Sequence, residues 1–179
     1  MSLPFPRIGR PGAAPTLSTP RLVLRPPQTA DWDAYRQIMT GPRATHMGGP
    51  FGANVAWGMF MADMWGWAVT GAGALTITRA EDGIAVGQVV LNDIPAFPDL
   101  ELGWMLYDGH EGHGYATEAA AAFLDWIRRE LRPASLVSYV SPDNAGSAGV
   151  ARRLGGEEDV TADRPDPADL VFRHVGDPR

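Results

Sequence analysis

Apolar positions along the chain switch between two spacings, and the switches mark out the elements. Leu22, Val23 and Leu24 form a short apolar run closed by Pro26-Pro27, which cannot continue a ladder, so the first predicted strand is brief. Trp32, Tyr35, Ile38 and Met39 share one helix face behind Thr29 and Asp31, either of which can cap it, and Gly41-Pro42 stops it. Over residues 53–69, Trp57, Phe60, Met61, Met64, Trp65 and Ala68 recur at helical spacing. That stripe serves either as core or as the wall of a substrate pocket. Residues 75–78 and 85–91 read as strands joined at Glu81-Asp82-Gly83, and residues 100–107 as the next strand, after a proline-containing loop at 92–99. A helix over 117–131 places Ala116, Ala120, Phe123, Leu124, Ile127 and Leu131 on one face, with Asp125, Arg128 and Arg129 opposite. A strand at 136–141, a short helix at 147–154 stopped by Gly155-Gly156, and strands at 157–160 and 170–174 complete the series. The order β-α-α-β-β-β-α-β-α-β-β is α+β, built on one central, mostly antiparallel sheet.

Composition narrows the setting. At 179 residues the chain is long enough to bury a substantial core in one domain. Residues 1–16, rich in proline and glycine, read as a flexible extension, and residues 17–179 as the domain. The extension has no apolar segment of the secretory kind, and no apolar run approaches the ~20 residues needed to cross a bilayer, so a cytoplasmic protein without membrane contact is expected. Cysteine is absent, which excludes disulfides, Cys-ligated metals and a thiol nucleophile. His46, His110, His113 and His174 are scattered without ligand spacing, so no metal is expected. All 15 basic residues are arginine, and the net charge of −6 argues against a nucleic-acid partner while suiting a cationic amine substrate.

The densest chemical signal is Glu111-Gly112-His113-Gly114-Tyr115-Ala116-Thr117-Glu118-Ala119, between a predicted strand and a predicted helix. Glycines at a helix N-terminus leave several backbone N–H groups free to converge on an anion, in a field of roughly half a positive charge. No Lys follows the glycines, so this is not an ATP-type P-loop. Thr117 stands where a dinucleotide fingerprint needs a third small residue, and Glu130, the nearest acid at the required range, falls inside the helix. Spacing alone equally allows a ligand-free strand-to-helix turn.

The run resembles the acyl-CoA pyrophosphate loop of the GNAT acetyltransferases, with Gly114 and Ala116 at its small positions. Residues 115–119 resemble the branch containing the ribosomal-protein N-terminal acetyltransferases. Three further segments match that branch in order: 19–26 its first strand, 100–104 its fourth, and Asp143-Asn144-Ala145-Gly146-Ser147 with Val150 and Leu154-Gly155 the stretch into its last helix. The resemblance covers about residues 17–175. It implies a GNAT-like α/β/α fold around a mixed, mostly antiparallel, splayed sheet of about seven strands. It also implies an acetyl-CoA-dependent N-acetyltransferase that moves acetyl directly to a primary amine of a protein N-terminus or a small molecule. One departure stands out: Glu111 occupies a position usually held by Arg or Gln, and is expected to point to solvent.

The resemblance assigns acetyl-CoA, as co-substrate, to Gly112, His113, Gly114, Tyr115, Ala116 and Thr117. The free backbone groups of Met105, Leu106 and Tyr107 would hold the pantetheine arm, and Asn144 would lie beside it. Ser147 is the candidate proton donor to the leaving thiolate, because Ala151 and Arg152 stand where many members carry a Tyr. Capping of the helix start explains the Asn144/Ser147 pattern equally well. Glu101 shares a strand face with Gly103 and Met105 and is the candidate base, the alternative being a solvated carboxylate. Gly103 suits a bulge or a close backbone approach, or merely room for a bulky neighbour. His110 reads as a surface-loop residue before it reads as a base. The acceptor site is expected between residues 41–51 and 161–168, and a homodimer contact at the aromatic residues of the second helix. A catalytically weak acyl-CoA-binding sensor is the reading from another class.

Overall fold

The strand-like runs assemble into one sheet, and the order of its strands determines where it opens. In the computed structural model, which describes residues 5–177, eight strands lie in the order β1 (Leu17–Ser18), β2 (Leu22–Arg25), β3 (Ala74–Arg79), β4 (Ala85–Asn92), β5 (Glu101–Leu106), β6 (Leu136–Val140), β8 (Leu170–Val175), β7 (Glu157–Glu158). Every neighbouring pair is antiparallel except β5 and β6, which run parallel and share a single matched pair, Glu101 with Val137. A parallel step cannot be closed by a tight turn. Here it is bridged by α3 (Tyr115–Trp126) and a wider helical turn over Ile127–Leu131.

The two faces of β5 are packed differently. Leu102, with Trp104 and Leu106, belongs to a core built with Leu22, Leu24, Leu75, Ile77 and Val89 under the apolar face of α3 and the turn that follows it, where Ala119, Ala120, Phe123 and Ile127 are fully buried. Met105 and Tyr107 instead meet Tyr35, Ile38 and Met39 of α1 (Trp32–Met39) and Ala56 and Phe60 of α2 (Ala53–Val69). α4 (Ala145–Arg153) covers β6 and β8 with Ala148 and Ala151 against Val140 and Phe172.

Three elements differ from the sequence expectation. α2 buries Ala56, Phe60 and Trp67, while Trp57 and Trp65 are 42% and 60% exposed. The helix is apolar on nearly every side, so its periodicity could not fix the buried face. Asp31 does not cap α1 with its side chain. It accepts from Arg25 (2.7 and 2.8 Å), from the Thr76 hydroxyl (2.8 Å) and from the Gln28 N–H (2.9 Å), tying β2 and β3 to the entry of the helix. A 3-10 turn at Pro42–Met47 occupies a segment that carries no periodicity.

Residues 5–16, the described part of the predicted extension, make specific contacts; residues 1–4 lie outside the described residues. The Asp93 carboxylate accepts from the backbone N–H groups of Arg7 (2.6 Å) and Ile8 (3.0 Å) and from the Arg7 guanidinium (2.9 Å). Gly12 N–H donates to Trp67 O at 2.9 Å, and Ile8 packs on the core. Among the described residues no helix is long and apolar enough to cross a membrane.

Candidate active site

The β5/β6 junction is held shut at one end and open at the other. Val137 N–H donates to Leu100 O (3.0 Å), and the Ser138 hydroxyl donates to Leu102 O (2.6 Å). Because that hydroxyl proton is used, His174 must donate its Nε2–H to Ser138 Oγ (2.9 Å). Burial first, then the nearby Arg128 charge, lowers the His174 pKa to about 4, which keeps the ring neutral. Beyond this clasp the two strands part.

Ladder alternation decides which backbone groups face the gap. Tyr107 N–H donates to Val86 O at 2.9 Å, so Tyr107 and, two residues back, Met105 direct their main-chain groups toward β4. Leu102, Trp104 and Leu106 direct theirs the other way, as the Ser138–Leu102 bond shows. The expectation that Met105, Leu106 and Tyr107 all present free groups is therefore corrected. Leu106 does so, Trp104 joins it, and the other two are committed to the sheet; Met105 instead contributes its side chain to the cavity described below.

Just past β5 the chain turns through Gly109, Gly112 and Gly114, all at positive φ (+83°, +80° and +77°), and Gly114 is the N-cap of α3. Among the described residues, the N–H groups of 112–117 have no protein acceptor; the first helical bond there is Glu118 N–H to Gly114 O (3.1 Å). Two guanidinium groups close on the same helix end. Arg21 from the sheet edge donates to His113 O (3.0 Å) and Glu118 (2.7 Å) and lies 5.1 Å from the Tyr115 ring centre, while Arg153 of α4 donates to the Thr117 hydroxyl (3.2 Å). Glu111 is turned away from these donors: it pairs with Arg43 and accepts from Gly109 N–H (3.1 Å), with its side chain 47% exposed. Replacing Arg21 by alanine should weaken CoA affinity by about threefold, as suits a solvated cation. Raising salt to roughly 0.5 M, where the Debye length is a few ångströms, should erase most of that difference. Titration calorimetry at both salt concentrations measures this.

From the mouth of the splay a cavity of about 610 Å³ extends across the face of β5 that meets α1 and α2. Glu101, Gly103, Met105, Asn144 and Ser147 line it together, so the structure brings the candidate base and the candidate acid to one space. The loop residues 112–117 do not line it; they lie at the far end of the open strand edge. Thr45, His46 and Met47, with Pro165 and Asp166, form walls drawn from the 41–51 and 161–168 segments. A Cβ on Gly103 would come within 2.9 Å of the side chain of Val90, its partner on β4, so glycine here makes room for that bulky neighbour.

Glu101 accepts a 2.6 Å hydrogen bond from Asn92 Nδ2. Burial lifts its pKa to about 7; the Asn92 bond opposes the shift and the Asp169 charge adds to it. A second acid, Asp63 of α2, faces the same cavity, also lifted to about 7 by burial against the counteracting Tyr35 hydrogen bond. His110 and His113 are outside the cavity, and His113 stacks on Tyr115 at 5.3 Å.

Asn144 caps α4, accepting from Ser147 N–H at 3.0 Å, and both side chains border the cavity. The two substitutions should therefore separate. Asn144→Ala loses a cap worth about 0.5–2 kcal/mol and should lower Tm. Ser147→Ala keeps the cap, since the bond uses the backbone, and should lower kcat more than CoA affinity. An unchanged kcat in a folded Ser147→Ala protein would remove the hydroxyl from the chemistry.

Comparisons with known proteins agree on the family. Residues 21–157 match the family described as Acetyltransferase (GNAT) domain. The chain belongs to the GNAT acetyltransferases. It is 51% identical to an acetyltransferase of Agrobacterium tumefaciens str. C58 of known crystal structure, with a TM-score of 0.86 over 90% of this chain and 95% of that one. A putative ribosomal-protein-serine acetyltransferase from Vibrio cholerae shares the fold at 21% identity and TM-score 0.67, over 89% of this chain and 97% of that one. The N-acetyltransferase YnaD of Bacillus subtilis, itself uncharacterized, is 29% identical over 79 residues, 44% of this chain and 46% of that protein. The match thus spans less than half of that curated relative.

Within this GNAT chain, the sequence pattern did not reveal Arg21, Arg153, Asp63 or Trp104 as parts of the site. Arg21 and Asp63 are far in sequence from the elements they meet. Trp104 could have been found by extending strand alternation to the main chain, had the pairing with β4 been known.

Proposed function

We propose that this chain is an acetyl-CoA-dependent N-acetyltransferase that transfers acetyl directly to a primary amine. The observation that carries the reading is one continuous path: unpaired N–H groups at the α3 N-terminus, the unpaired edge of β5, and a cavity that holds a carboxylate and a hydroxyl. The free N–H groups of residues 112–117, with Arg21 and Arg153 beside them, suit a pyrophosphate. Trp104 and Leu106 can pair with an amide-bearing arm, and a β5 N–H can polarise a thioester carbonyl.

In this scheme Glu101 takes a proton from the acceptor ammonium, freeing the nitrogen lone pair to attack the thioester carbon. The new C–N bond forms as the oxygen gains charge and accepts from the β5 backbone. The carbonyl then re-forms as the C–S bond breaks. Ser147 gives its proton to the departing thiolate and takes up, directly or through water, the second proton that the acylated nitrogen releases, while Glu101 returns its proton to solvent. No covalent enzyme intermediate is needed, which accords with a chain lacking cysteine.

The acceptor in this reading is a protein N-terminus or a small-molecule amine. The test is thiol release from acetyl-CoA across a panel of amines and N-terminal peptides. Release that accelerates with added amine and yields an N-acetylated product is expected. Tight acetyl-CoA binding without amine-dependent release would instead mark an acyl-CoA sensor.

A further inference from the structure

We propose that the acceptor carries, besides the reacting amine, a second positive charge and a carbonyl or hydroxyl oxygen. This rests on the acetyltransferase reading and names the substrate class for the same cavity. The first observation is charge. Asp63 of α2, Glu101 of β5, and Asp166 and Asp169 of the loop before β8 all face the cavity, and among the described residues no arginine lines it. Arg164, whose charge acts on Asp169, donates to the backbone carbonyls of Asp159, Val160, Ala162 and Asp169. His46 is the remaining titratable group with basic character on the wall.

The acids are coupled. Burial and then the Asp166 charge raise the Asp169 pKa, and Asp169 in turn raises that of Glu101. A single ammonium whose proton passes to Glu101 leaves Asp166 and Asp169 with only Arg164, itself engaged with backbone carbonyls, as a counter-charge. A second ammonium or guanidinium relieves that repulsion, whereas an anionic acceptor would add to it.

The second observation is independent. Gln88 of β4 is 2% exposed and lines the cavity, yet its Nε2 has no acceptor among the described residues. Leaving such a buried donor unmade is costly, so it calls for a ligand oxygen. Gln88 lies opposite Met105, on the face of β5 that carries Glu101 and away from the edge open to β6. That placement assigns the donor to the acceptor rather than to the pantetheine arm.

Three matched probes test the proposal on the full-length protein. Lysinamide has two amines and a carbonyl, norleucinamide lacks the second amine, and 1,5-diaminopentane lacks the carbonyl. The expected result is kcat/KM for lysinamide about tenfold or more above norleucinamide, the size of one charged hydrogen bond. The ratio should collapse in a D166N/D169N variant shown to be folded by its Tm and acetyl-CoA affinity. Gln88→Leu should remove the advantage of lysinamide over diaminopentane, and the wild-type probe ratios decide the matter even if that buried variant fails to fold. Alanyl-lysinamide exceeding lysinamide would place the second charge on a peptide; the reverse would place it on a small diamine.

Equal rates for lysinamide and norleucinamide, in a protein that releases thiol, would overturn the inference and leave the acetyltransferase reading intact. If acetyl-CoA binds but no amine is acetylated, that reading fails. Calorimetry of lysinamide against norleucinamide on the acetyl-CoA-loaded protein then judges the site, with equal affinity counting against it.

Discussion

Gly114→Val is expected to weaken CoA binding at least about tenfold while the protein still folds, because the strain of a left-handed non-glycine residue is roughly 1–2 kcal/mol and a tenfold affinity change is 1.4 kcal/mol. Gly114 sits at φ +77° as the N-cap of α3, and an added Cβ would meet only the Arg21 guanidinium, at 3.5 Å. The substitution is thus penalised through the backbone rather than by overpacking. Relief requires rotating the turn, which re-aims the N–H groups of the following residues and puts a branched side chain where an anion must approach. Gly83→Val supplies the control. Gly83 also has positive φ (+73°) and open space around it, but lies in the β3–β4 turn away from the site. Both variants should lose stability in thermal melts, and only Gly114→Val should lose CoA in calorimetric titration. Equal CoA affinity in the two would dismiss the loop as the phosphate site.

Glu101→Gln should cost about 10² in kcat/KM near pH 7.5 with an amine of pKa near 10, the lower end of what a general base contributes. The wild-type rate should rise with pH up to about 7, where Glu101 becomes ionised, and then level off. The variant must wait for amine that arrives already neutral, so its rate should keep rising toward the amine pKa and the defect should shrink. A defect of constant size at all pH values would reassign Glu101 to positioning. Stability carries an independent sign. The folded-state pKa of Glu101, about 7, lies above its ordinary value of 4.5, so the folded protein binds the extra proton between these limits. Stability from this group is therefore greatest at low pH and falls as pH rises through 4.5 to 7. Glu101→Gln should accordingly raise Tm at pH 8 relative to wild type, and change it less at pH 5. Asp63 obeys the same sign, which makes its Asn variant a check on whether both carboxylates are buried in the cavity.

The order of elements, the glycine loop at a helix start and the position of Glu101 beside Gly103 were legible in the chain, because each depends on neighbours a few residues away. Periodicity fixes a strand face, glycine permits positive φ, and a helix N-terminus leaves N–H groups open wherever it occurs. The resemblance then gave these pieces a common purpose. What the tertiary structure alone decided depends on partners distant in sequence. α2 is apolar on nearly every side, and only its packing in the fold buried Phe60 and left Trp57 partly exposed. Strand alternation located β5, but which of its main-chain groups remain open was set by its pairing with β4 and its departure from β6. Asp63, Gln88 and Asp169 carry no local signal, and they converge only because α2, β4 and the loop before β8 border one cavity. Burial of a polar group is a property of everything packed around it, so its altered proton affinity and its unmet hydrogen bond cannot be read from the residues beside it in the chain.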